Sequence, residues 1–596
     1  MNKQELISKI KSLQDISSEE KAYIIELVNT KKKYGLVWEE KPEDVEEQLR
    51  SMLPVFKEVK ERAIISENTD APNHILIEGD NLHALTALSY THEGKVDVIY
   101  IDPPYNTGNK DFIYNDAYVD KEDTYRHSKW LSFMDKRLRL AKKLLSETGV
   151  IFISIDDNEQ AQLKMLCNEI FGENNFISTF IWHKKYGGGG DNKNIVTEHE
   201  YVLSYSNKDP NINEVFYGID LDFQDFVGYI LDENGNYYSA NESILMRGPN
   251  STKEKRPNLC YEIEAPDGTL ILPRNGIGTW CYSKETLNQK LNNKDLVWKK
   301  VRDQWMLYKK QYLFEENSDD ARQKKPRTVL DKRYNVGQTG EGSTVFKEIM
   351  KNEKSFVGPK PLSLLKSLLN FSLNKNSIVL DFFAGSGSTL HAVMELNNEY
   401  GYNYKCILVT NNENKIAEEV TYERNKRVIQ GYTNAKGEQV EGLTNNNLRY
   451  YQADFVPSER TEVNRRLLTA RSTDLLCIKE DCFIEITKEL HIKENQAKVF
   501  TNGLGKYMVV IYHSRNQDEV VAQLTECIHS LETTEKVKIY AFSPEKESIE
   551  EDFFAVADKI AAIPLPDSIY NAYRATFRTL KLNQKSATAA SKNQDH

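Results

Sequence analysis

Short apolar runs alternate with amphipathic segments along the chain from about residue 74. The runs at 74–77, 96–101 and 150–155 each end in polar turn residues, and apolar residues at helical spacing lie between them. Runs of this length bounded by turns predict strands, and strands that alternate with helices are typical of a parallel sheet. The pattern therefore predicts an α/β fold.

The same strand and helix patterns predict the remaining elements. Apolar residues at helical spacing from Trp130 to Leu145 predict a helix closed by Gly149, and a second such segment runs from Leu362 to Leu369. Further strands are predicted at 201–205, 377–380, 406–409, 507–511 and 537–540. The α/β pattern thus occurs both early and late in the chain.

Changes in this pattern divide the chain into five regions. The first region has Leu and Ile at helical spacing, whereas the middle region is rich in Asn, Asp, Gly and aromatic residues. The predicted domains are 1–68, a helical region; 69–206 and 341–450, the two halves of an α/β core; 207–340, an inserted domain; and 451–596, a C-terminal α/β domain. We also expect a mobile loop at the glycines 187–190 and a disordered tail at 585–596.

Composition narrows the class of protein. A chain of 596 residues needs several cores, and a mean hydropathy of -0.60 without any run of 18 apolar residues predicts a soluble, cytoplasmic protein with no membrane contact. The seven cysteines lack the spacing of a zinc site, so no metal is expected. A net charge of -11 argues against a general nucleic-acid coat, so any contact with a polyanion must be local.

One basic stretch could supply such a contact. Lysines and arginines alternate with aromatic residues from Lys294 to Arg333, an arrangement that can bind phosphates and stack on bases. The alternative is a solvated face with aromatic core residues behind it. The candidate nucleic-acid contacts in this stretch are Lys299, Lys300, Arg302, Lys309, Lys310, Lys324, Lys325 and Arg327.

Asp102-Pro103-Pro104-Tyr105 follows the predicted strand 96–101. A carboxylate at the carboxyl end of a parallel strand lies where α/β sheets bind ligands. The prolines stiffen the turn and expose their carbonyls, so Asp102 and Pro103 form a pair of acceptors suited to an amino group with two N–H donors. Tyr105 can stack on a planar base. The alternative is an ordinary strand-to-turn segment without a ligand.

A glycine-rich segment follows another predicted strand much later in the chain. It reads Asp381-Phe382-Phe383-Ala384-Gly385-Ser386-Gly387-Ser388-Thr389. Its two glycines are short of a full dinucleotide-binding pattern, but between a strand and a helix they let backbone amides approach the polar group of a ligand. No phosphate-binding lysine follows, so the anionic group is expected to be a carboxylate. No GxxxxGK[ST] sequence occurs, which argues against ATP chemistry.

These segments together resemble a known family. The chain is similar over most of its length to the modification subunits of type III restriction-modification systems, which are β-class DNA adenine-N6 methyltransferases. The segments that carry the resemblance are 79–82, 102–109, 112–116, 130–134, 154–159, 199–201, 360–361 and 381–389. The order of acceptor motif, long insert and glycine-rich motif is the order that defines the β class.

The resemblance implies a fold and a cofactor site. The fold would be a Rossmann-like, S-adenosyl-L-methionine-dependent methyltransferase core in the permuted β-class order, with an inserted target recognition domain. The residues that would bind the cofactor are Asp80, Phe356, Lys360, Pro361, Asp381, Phe383, Ala384, Gly385, Ser386 and Gly387. An acidic residue after the strand 406–409 is expected to hold the ribose, and this sequence offers Asn412 or Glu413 there.

The resemblance also implies a reaction and partners. The turn from Asp102 to Tyr105, with Pro103 and Pro104, would be catalytic and would hold a flipped adenine at the methyl group of the cofactor. Asn106 would contact double-stranded DNA, whose sequence the inserted domain would read. The implied protein partners are a second copy of the chain and a separate ATP-dependent helicase-nuclease subunit.

Three alternatives remain open at this point. The chain could methylate cytosine N4, although Asp rather than Ser at position 102 favours adenine N6. It could be a regulatory adenine methyltransferase without a nuclease partner. It could also be an inactive fold kept as a DNA-binding scaffold, against which the intact acceptor and glycine-rich motifs argue.

Overall fold

The computed structural model describes residues 36–582 except 116, 188–194, 209–229, 233–236, 313–325, 352–355, 513–516 and 544–549, and also residues 9, 13, 17 and 21. The chain divides into two compact units. The core unit consists of Met1–Tyr217 and Arg327–His596, and the inserted unit is Gly218–Pro326. Glycines 188–190 of the predicted loop, the predicted disordered tail, and the candidate contacts Lys324 and Lys325 lie outside the described residues.

The helices and strands of the described residues are numbered in chain order. The helices are α1 Asp44–Ser51, α2 Asn81–Thr91, α3 Arg126–Leu144, α4 Gln160–Phe171, α5 Lys284–Asn292, α6 Thr339–Met350, α7 Leu362–Asn370, α8 Ser388–Tyr400, α9 Glu423–Gln430, α10 Glu462–Arg471, α11 Thr473–Glu480, α12 Gln517–Ser530 and α13 Asp567–Thr579; a π-helix covers Ile416–Tyr422. The strands are β1 Met52–Glu58, β2 Asn73–Glu78, β3 Val96–Ile101, β4 Ile113–Tyr114, β5 Ala117–Tyr118, β6 Leu145–Ile155, β7 Phe176–His183, β8 His199–Ser206, β9 Ile230–Leu231, β10 Tyr237–Ser239, β11 Ile263–Glu264, β12 Leu270–Ile271, β13 Leu296–Val301, β14 Gln304–Lys309, β15 Gln311–Tyr312, β16 Val329–Leu330, β17 Ile378–Asp381, β18 Lys405–Thr410, β19 Tyr432–Thr433, β20 Gln439–Val440, β21 Asn447–Pro457, β22 Ile484–Glu485, β23 Ala497–Thr501, β24 Tyr507–Ile511, β25 Val537–Phe542 and β26 Ile560–Leu565.

Ten of the described strands form one large sheet in the core unit, in the order β1-β21-β2-β18-β17-β3-β6-β8-β7-β16. The strands from β21 to β6 in this order are parallel, whereas β1 and β8 pair antiparallel with their neighbours. The parallel strands are rich in buried Val, Ile and Leu, as a sheet covered on both faces requires. The carboxyl ends of β2, β18, β17 and β3 therefore lie side by side at one edge.

Helix α3 shows how the apolar pattern builds the core. Its apolar residues recur every three or four positions, and the side chains of Trp130, Met134, Leu138 and Leu144 are fully buried in the core cluster. The helix packs against α2 on one side and α4 on the other. In the chain it follows the turn formed by Asp102-Pro103-Pro104-Tyr105.

The elements predicted in the α/β core are confirmed, with shifts of a few residues at their ends. The prediction that Gly149 closes helix α3 was wrong, because α3 ends at Leu144 and Gly149 lies within β6. The predicted helical region at 1–68 was wrong at its end, because Met52–Glu58 is the edge strand β1, with Leu53, Val55 and Phe56 buried. The apolar run is short and contains a proline, which is tolerated at a sheet edge and hides the strand signal.

Two domain boundaries also differ from the prediction. The inserted unit ends at Pro326, not at 340, because β16 pairs with β7 in the large sheet. Strand β21 crosses the predicted boundary at 450 and pairs with both β1 and β2. Strands that are separated in sequence but paired in one sheet cannot be assigned to different domains by local composition.

The rest of the C-terminal region forms a second sheet, β22-β23-β24-β25-β26, with parallel pairing from β24 to β26. The inserted unit has its own small core around Trp280 and Leu307. In the described part of the chain, no helix is both long enough and apolar enough to cross a membrane. The described residues also contain no group of three potential metal ligands.

Truncation of the core helix should destabilise the core unit. Leu138→Ala removes a fully buried side chain of α3, and we expect a loss of about 2–5 kcal/mol in the free energy of unfolding. Leu504→Ala, at a side chain that is 47% exposed, should change it by less than about 0.5 kcal/mol. Urea denaturation followed by tryptophan fluorescence compares the two variants, and equal losses would contradict the burial argument.

Candidate active site

Parallel pairing of β3 with β17 brings the two sequence motifs together. Val98 faces Val379 and Ile99 faces Leu380 across the pair. The acceptor turn that starts at Asp102 and the glycine-rich loop that follows Asp381 therefore leave neighbouring strands at the same edge. This is the place where α/β sheets bind ligands.

The acceptor turn is anchored from α3. The indole Nε1 of Trp130 donates to the Pro104 carbonyl at 2.7 Å, and Pro103 is buried. The expectation that both proline carbonyls point outward as free acceptors is therefore wrong for Pro104. The Pro103 carbonyl and the Asp102 carboxylate remain as the candidate acceptor pair.

Asp102 takes part in a buried polar network. Its Oδ1 accepts from the Tyr105 hydroxyl at 2.9 Å and lies 2.9 Å from Lys360 Nζ. Lys360 also donates to the Tyr105 hydroxyl, and Glu200 lies 3.6 Å from the ammonium group. Lys184 pairs with Glu200 from the other side at 2.9 Å. Two cations thus face two carboxylates around the tyrosine hydroxyl.

In this network, the attraction between opposite charges shifts the pKa values more than burial does. Burial alone lowers the pKa of Lys360, but the carboxylates of Asp102 and Glu200 raise it above its usual value. Burial raises the pKa of Glu200, but Lys360 and Lys184 lower it further, so the net shift is downward. The network therefore holds Lys360 as a cation and Glu200 as an anion at neutral pH.

The resemblance implied that Lys360 binds the cofactor. In the structure its ammonium group contacts the carboxylate of Asp102.

The glycine-rich loop needs its glycines. Gly385 and Gly387 have φ of +51° and +72°, and a Cβ on Gly387 would lie 2.3 Å from Asn425 Nδ2. Asp381 closes the loop, because it accepts from Thr389 Oγ1 at 2.6 Å and from the Phe383 amide at 2.9 Å. Burial raises the pKa of Asp381 to about 7. The loop is thus held in one tight conformation.

A cavity of about 540 Å³ lies between the turn and the loop. Its lining includes the predicted residues Asp80, Asp102, Pro103, Pro104, Phe356, Phe383, Gly385 and Glu413. A smaller cavity of about 80 Å³ is lined by the predicted residues Asp102, Phe356, Lys360, Asp381, Phe383, Ala384, Gly385 and Ser386. Most of the predicted catalytic and cofactor residues therefore line these two cavities, whereas the catalytic candidate Tyr105 lines neither.

Three predicted cofactor residues line neither cavity: Pro361, Gly387 and Asn412. The amide of Asn412 donates to Glu78 Oε1 at 3.1 Å. Glu413 lines the larger cavity, so it is the better candidate of the two for the ribose. Gly387 serves the loop conformation.

The sequence analysis missed an ion-pair cluster in the wall of the larger cavity. Arg137 Nη1 donates to both oxygens of Glu43 at 2.9 and 3.0 Å, and its guanidinium lies over the Phe133 ring. Arg137 Nη2 also lies 3.6 Å from Asp80. The available signal was a charged residue on the buried face of the amphipathic helix α3.

Asn106 does not lie on a DNA-facing surface. Its side chain is fully buried, with the amide donating to Glu159 Oε1 at 2.6 Å and to the Arg126 carbonyl at 3.2 Å. His127 Nδ1 lies 2.6 Å from the same Glu159 oxygen. The expected DNA contact at Asn106 is therefore not supported, and this side chain fixes the end of the acceptor turn instead.

The described basic candidates have different surroundings. In the inserted unit, Lys299 donates to the Ala240 carbonyl and Lys309 pairs with Glu242, so both are held within the unit. Lys310 lies over the Tyr238 ring. Exposed positions are occupied by Lys300 and Arg302 of the inserted unit and by Arg327 of the core unit. The exposed three remain the better candidates for phosphate contact.

Comparison with known sequences identifies the family. The sequence model of the DNA methylase family matches residues 96–430, which include both motifs and the segment between them. The chain belongs to the DNA methylase family. S-adenosyl-L-methionine is the methyl donor expected for this DNA methylase.

Individual relatives are similar over more than half of this DNA methylase. The type III restriction-modification enzyme EcoPI Mod subunit of Escherichia phage P1 is 32% identical over 387 residues, which are 57% of this chain and 58% of that subunit. The StyLTI Mod subunit of Salmonella typhimurium is 33% identical, over 59% of this chain and 54% of that subunit. The type II methyltransferase M.KpnI of Klebsiella pneumoniae is 32% identical, over 61% of this chain and 87% of that enzyme. The chain thus matches somewhat more than half of the length of the Mod subunits.

The buried Glu159 should make stability depend on pH. Burial raises the pKa of Glu159 from 4.5 to about 8, so the folded state holds this proton more tightly than the unfolded state. The stability from this group is present below pH 4.5 and is lost as the pH rises through about 8. Glu159→Gln imitates the protonated form. As the pH rises through this window, the free energy of unfolding of the variant should therefore increase relative to that of wild type by up to about 1.4 kcal/mol per pH unit.

Urea denaturation at a series of pH values measures this difference. Glu173→Gln is the matched control, because Glu173 is exposed just beyond α4, the helix that Glu159 precedes. Its difference from wild type should not change with pH. If the difference for Glu159→Gln is equally flat, Glu159 is not held protonated by burial.

Proposed function

We propose that this DNA methylase transfers a methyl group from S-adenosyl-L-methionine to adenine N6 at specific sites in double-stranded DNA. The observation that carries the proposal is the position of Asp102, at the rim of a cavity whose opposite wall is the glycine-rich loop. An acceptor for an amine and a pocket for a methyl donor are then neighbours. Such proximity is the main requirement of a group transfer between two bound molecules.

The larger cavity fits the methyl donor. Its volume of about 540 Å³ lies within the range of roughly 300–1,000 Å³ of small-molecule sites. Phe133, Phe356 and Phe383 offer apolar walls, while Asp80 and Glu413 offer acceptors for hydroxyl and amino groups. S-adenosyl-L-methionine, when bound, supplies an electrophilic methyl group on a sulfonium.

The residues of the turn orient the acceptor amine. Asp102 Oδ1 is used by Tyr105 and Lys360, which leaves Oδ2 for one N–H of the amine. The Pro103 carbonyl is the second acceptor, since Trp130 occupies that of Pro104. Two acceptors fix the direction of the nitrogen lone pair, so positioning rather than a strong base would provide most of the rate.

Lys360 holds the acceptor carboxylate in place. Its Nζ lies 2.9 Å from Asp102 Oδ1, the oxygen that the amine would not use. The hydroxyl of Tyr105 links Lys360 to the carboxylate, so the tyrosine is tied by its polar end. Lys360 Nζ lies over one face of the Tyr105 ring, 5.1 Å from its centroid, so a flipped base would stack on the other face. Flipping the base costs a few kcal/mol.

The proposed role in a restriction-modification system is based on the relatives. Two of them are named Mod subunits of type III restriction-modification enzymes, and we propose the same role here, with the β-class motif order in a Rossmann-like core. The inserted unit would then read the target sequence. The N-terminal helices and the C-terminal region would serve contacts with a second copy and with an ATP-dependent restriction subunit. The protein would act in the cytoplasm, where its DNA is.

The methylated base tests the proposed function. DNA incubated with the purified protein and S-adenosyl-L-methionine should contain N6-methyladenine by mass spectrometry, and Asp102→Ala should abolish it while DNA binding persists. Asp70→Ala, at an exposed aspartate away from the site, should behave as wild type. Detection of N4-methylcytosine without N6-methyladenine would show that the acceptor is cytosine.

Lys360→Met tests the positioning network. Because the lysine bonds Asp102 and Tyr105, its loss should lower the rate of methyl transfer at saturating substrates about 10- to 100-fold. The affinity for S-adenosyl-L-methionine should change much less. Single-turnover rates and equilibrium dialysis separate the two effects, with the exposed Lys347→Met of α6 as control. If the variant binds S-adenosyl-L-methionine more weakly but transfers the methyl group at an unchanged rate, Lys360 serves cofactor binding, as the resemblance implied.

A further inference from the structure

Arg424 is a buried cation directly behind the glycine-rich loop. It lies at the start of α9, its side chain is fully buried, and it follows the π-helix Ile416–Tyr422. Its Nη1 donates to Ser388 Oγ at 2.6 Å and to Ser386 Oγ at 3.1 Å. Local π-helices occur often at functional sites, where they shift the position of the residues that follow.

No carboxylate pairs with this guanidinium among the described residues. Its other polar contacts are the Ser386 carbonyl, which accepts from Nη1 at 3.4 Å, and His391 Nδ1, also at 3.4 Å. His391 in turn lies 3.3 Å from Glu395. Burial lowers the pKa of Arg424 to about 10, so the group stays charged at neutral pH. A buried charge without a direct counter-ion is costly and calls for an anion nearby.

The hydroxyls of Ser386 and Ser388 connect this guanidinium to the side of the loop that lines the smaller cavity. Both hydroxyl oxygens accept from Arg424, and the oxygens lie 3.0 Å apart. One hydroxyl can donate to the other, which leaves the second with a proton for an outside acceptor. Both serines line the cavity of about 80 Å³ between Lys360 and the loop. An acceptor in that cavity would therefore receive a hydrogen bond strengthened by the arginine.

The rest of the loop is held by the same segment. Thr421 donates to the Gly385 carbonyl at 2.6 Å, and Asn425 donates to the Gly387 carbonyl at 3.3 Å. These two bonds hold the loop backbone beside a longer bond from Arg424 Nη1 to the Ser386 carbonyl at 3.4 Å. The neutral residues thus contribute to the loop conformation independently of the arginine, which in addition brings a charge.

We propose that Arg424 is a positioning residue for the carboxylate of the methionine part of the cofactor, acting through the hydroxyls of Ser386 and Ser388. The inference rests on the proposed function, because it takes S-adenosyl-L-methionine as the ligand. The carboxylate of the ligand would then add a negative charge to that of Glu395, which Arg424 meets through His391. Arg424 contacts neither the cofactor nor the reacting atoms and acts only through the loop.

Binding of ligands that differ only in the carboxylate tests this role. The probes are S-adenosyl-L-methionine and its decarboxylated form, measured by isothermal titration calorimetry on the full-length protein. Wild type should prefer the carboxylated ligand. Arg424→Met should reduce that preference by about tenfold or more, because a charge-assisted hydrogen bond is lost, and should leave the affinity for the decarboxylated ligand nearly unchanged.

Two further variants keep the test independent of folding. Ser386→Ala with Ser388→Ala removes the two hydroxyls that accept from Arg424 but keeps the charge of the guanidinium, and it should reduce the preference in the same way. Arg427→Met is the matched control, because Arg427 lies on α9 but pairs with Glu423 and the Ile349 carbonyl. It should retain the preference of wild type.

The outcomes separate the inference from the proposed function. Equal weakening of both ligands by Arg424→Met and by the double serine variant would overturn the inference and leave only a structural role. If wild type binds neither S-adenosyl-L-methionine nor S-adenosylhomocysteine, the proposed function fails instead. A loss of carboxylate preference in both variants, with the Arg427→Met control unchanged, supports the inference.

Discussion

The parallel pairing of β3 with β17 is the contact on which the candidate site depends. It joins Val98 to Val379 and Ile99 to Leu380, residues that lie far apart in the chain. Side chains alternate between the faces of a strand, so a slip of one residue between these strands would turn the aspartate at the end of the shifted strand to the opposite face. The acceptor turn and the glycine-rich loop face one cavity only in the observed register.

Charges from distant elements then hold the loops above this pair of strands. Lys360, from the segment before α7, reaches Asp102 and Glu200, while Arg137 of α3 reaches Glu43 before α1. Each ion pair is largely buried, so removal of one partner would leave an uncompensated charge. The walls of the site are thus joined by contacts that require the complete core unit.

The sequence predicts what is local and misses what depends on contact. Strand β3 and the turn after it follow from an apolar run and Asp102-Pro103-Pro104-Tyr105, and the loop follows from its glycines. The network of Lys360 and Glu200 could not be predicted, because nothing in either local sequence identifies the other as its partner. Asn106 shows the same limit: the resemblance implied a contact with DNA, yet tertiary packing buries this side chain.

The two strand-end aspartates look equivalent in sequence but have different surroundings. Asp102 is half-buried, faces the larger cavity and is paired with Lys360. Asp381 is buried, spends one oxygen on Thr389 and the other on the Phe383 amide, and has a pKa raised to about 7 by that burial. A carboxyl group with both oxygens used within its own loop has little capacity left for a ligand. Asp102 is therefore the better candidate for the acceptor of an amine, whereas Asp381 shapes the loop that the methyl donor would meet.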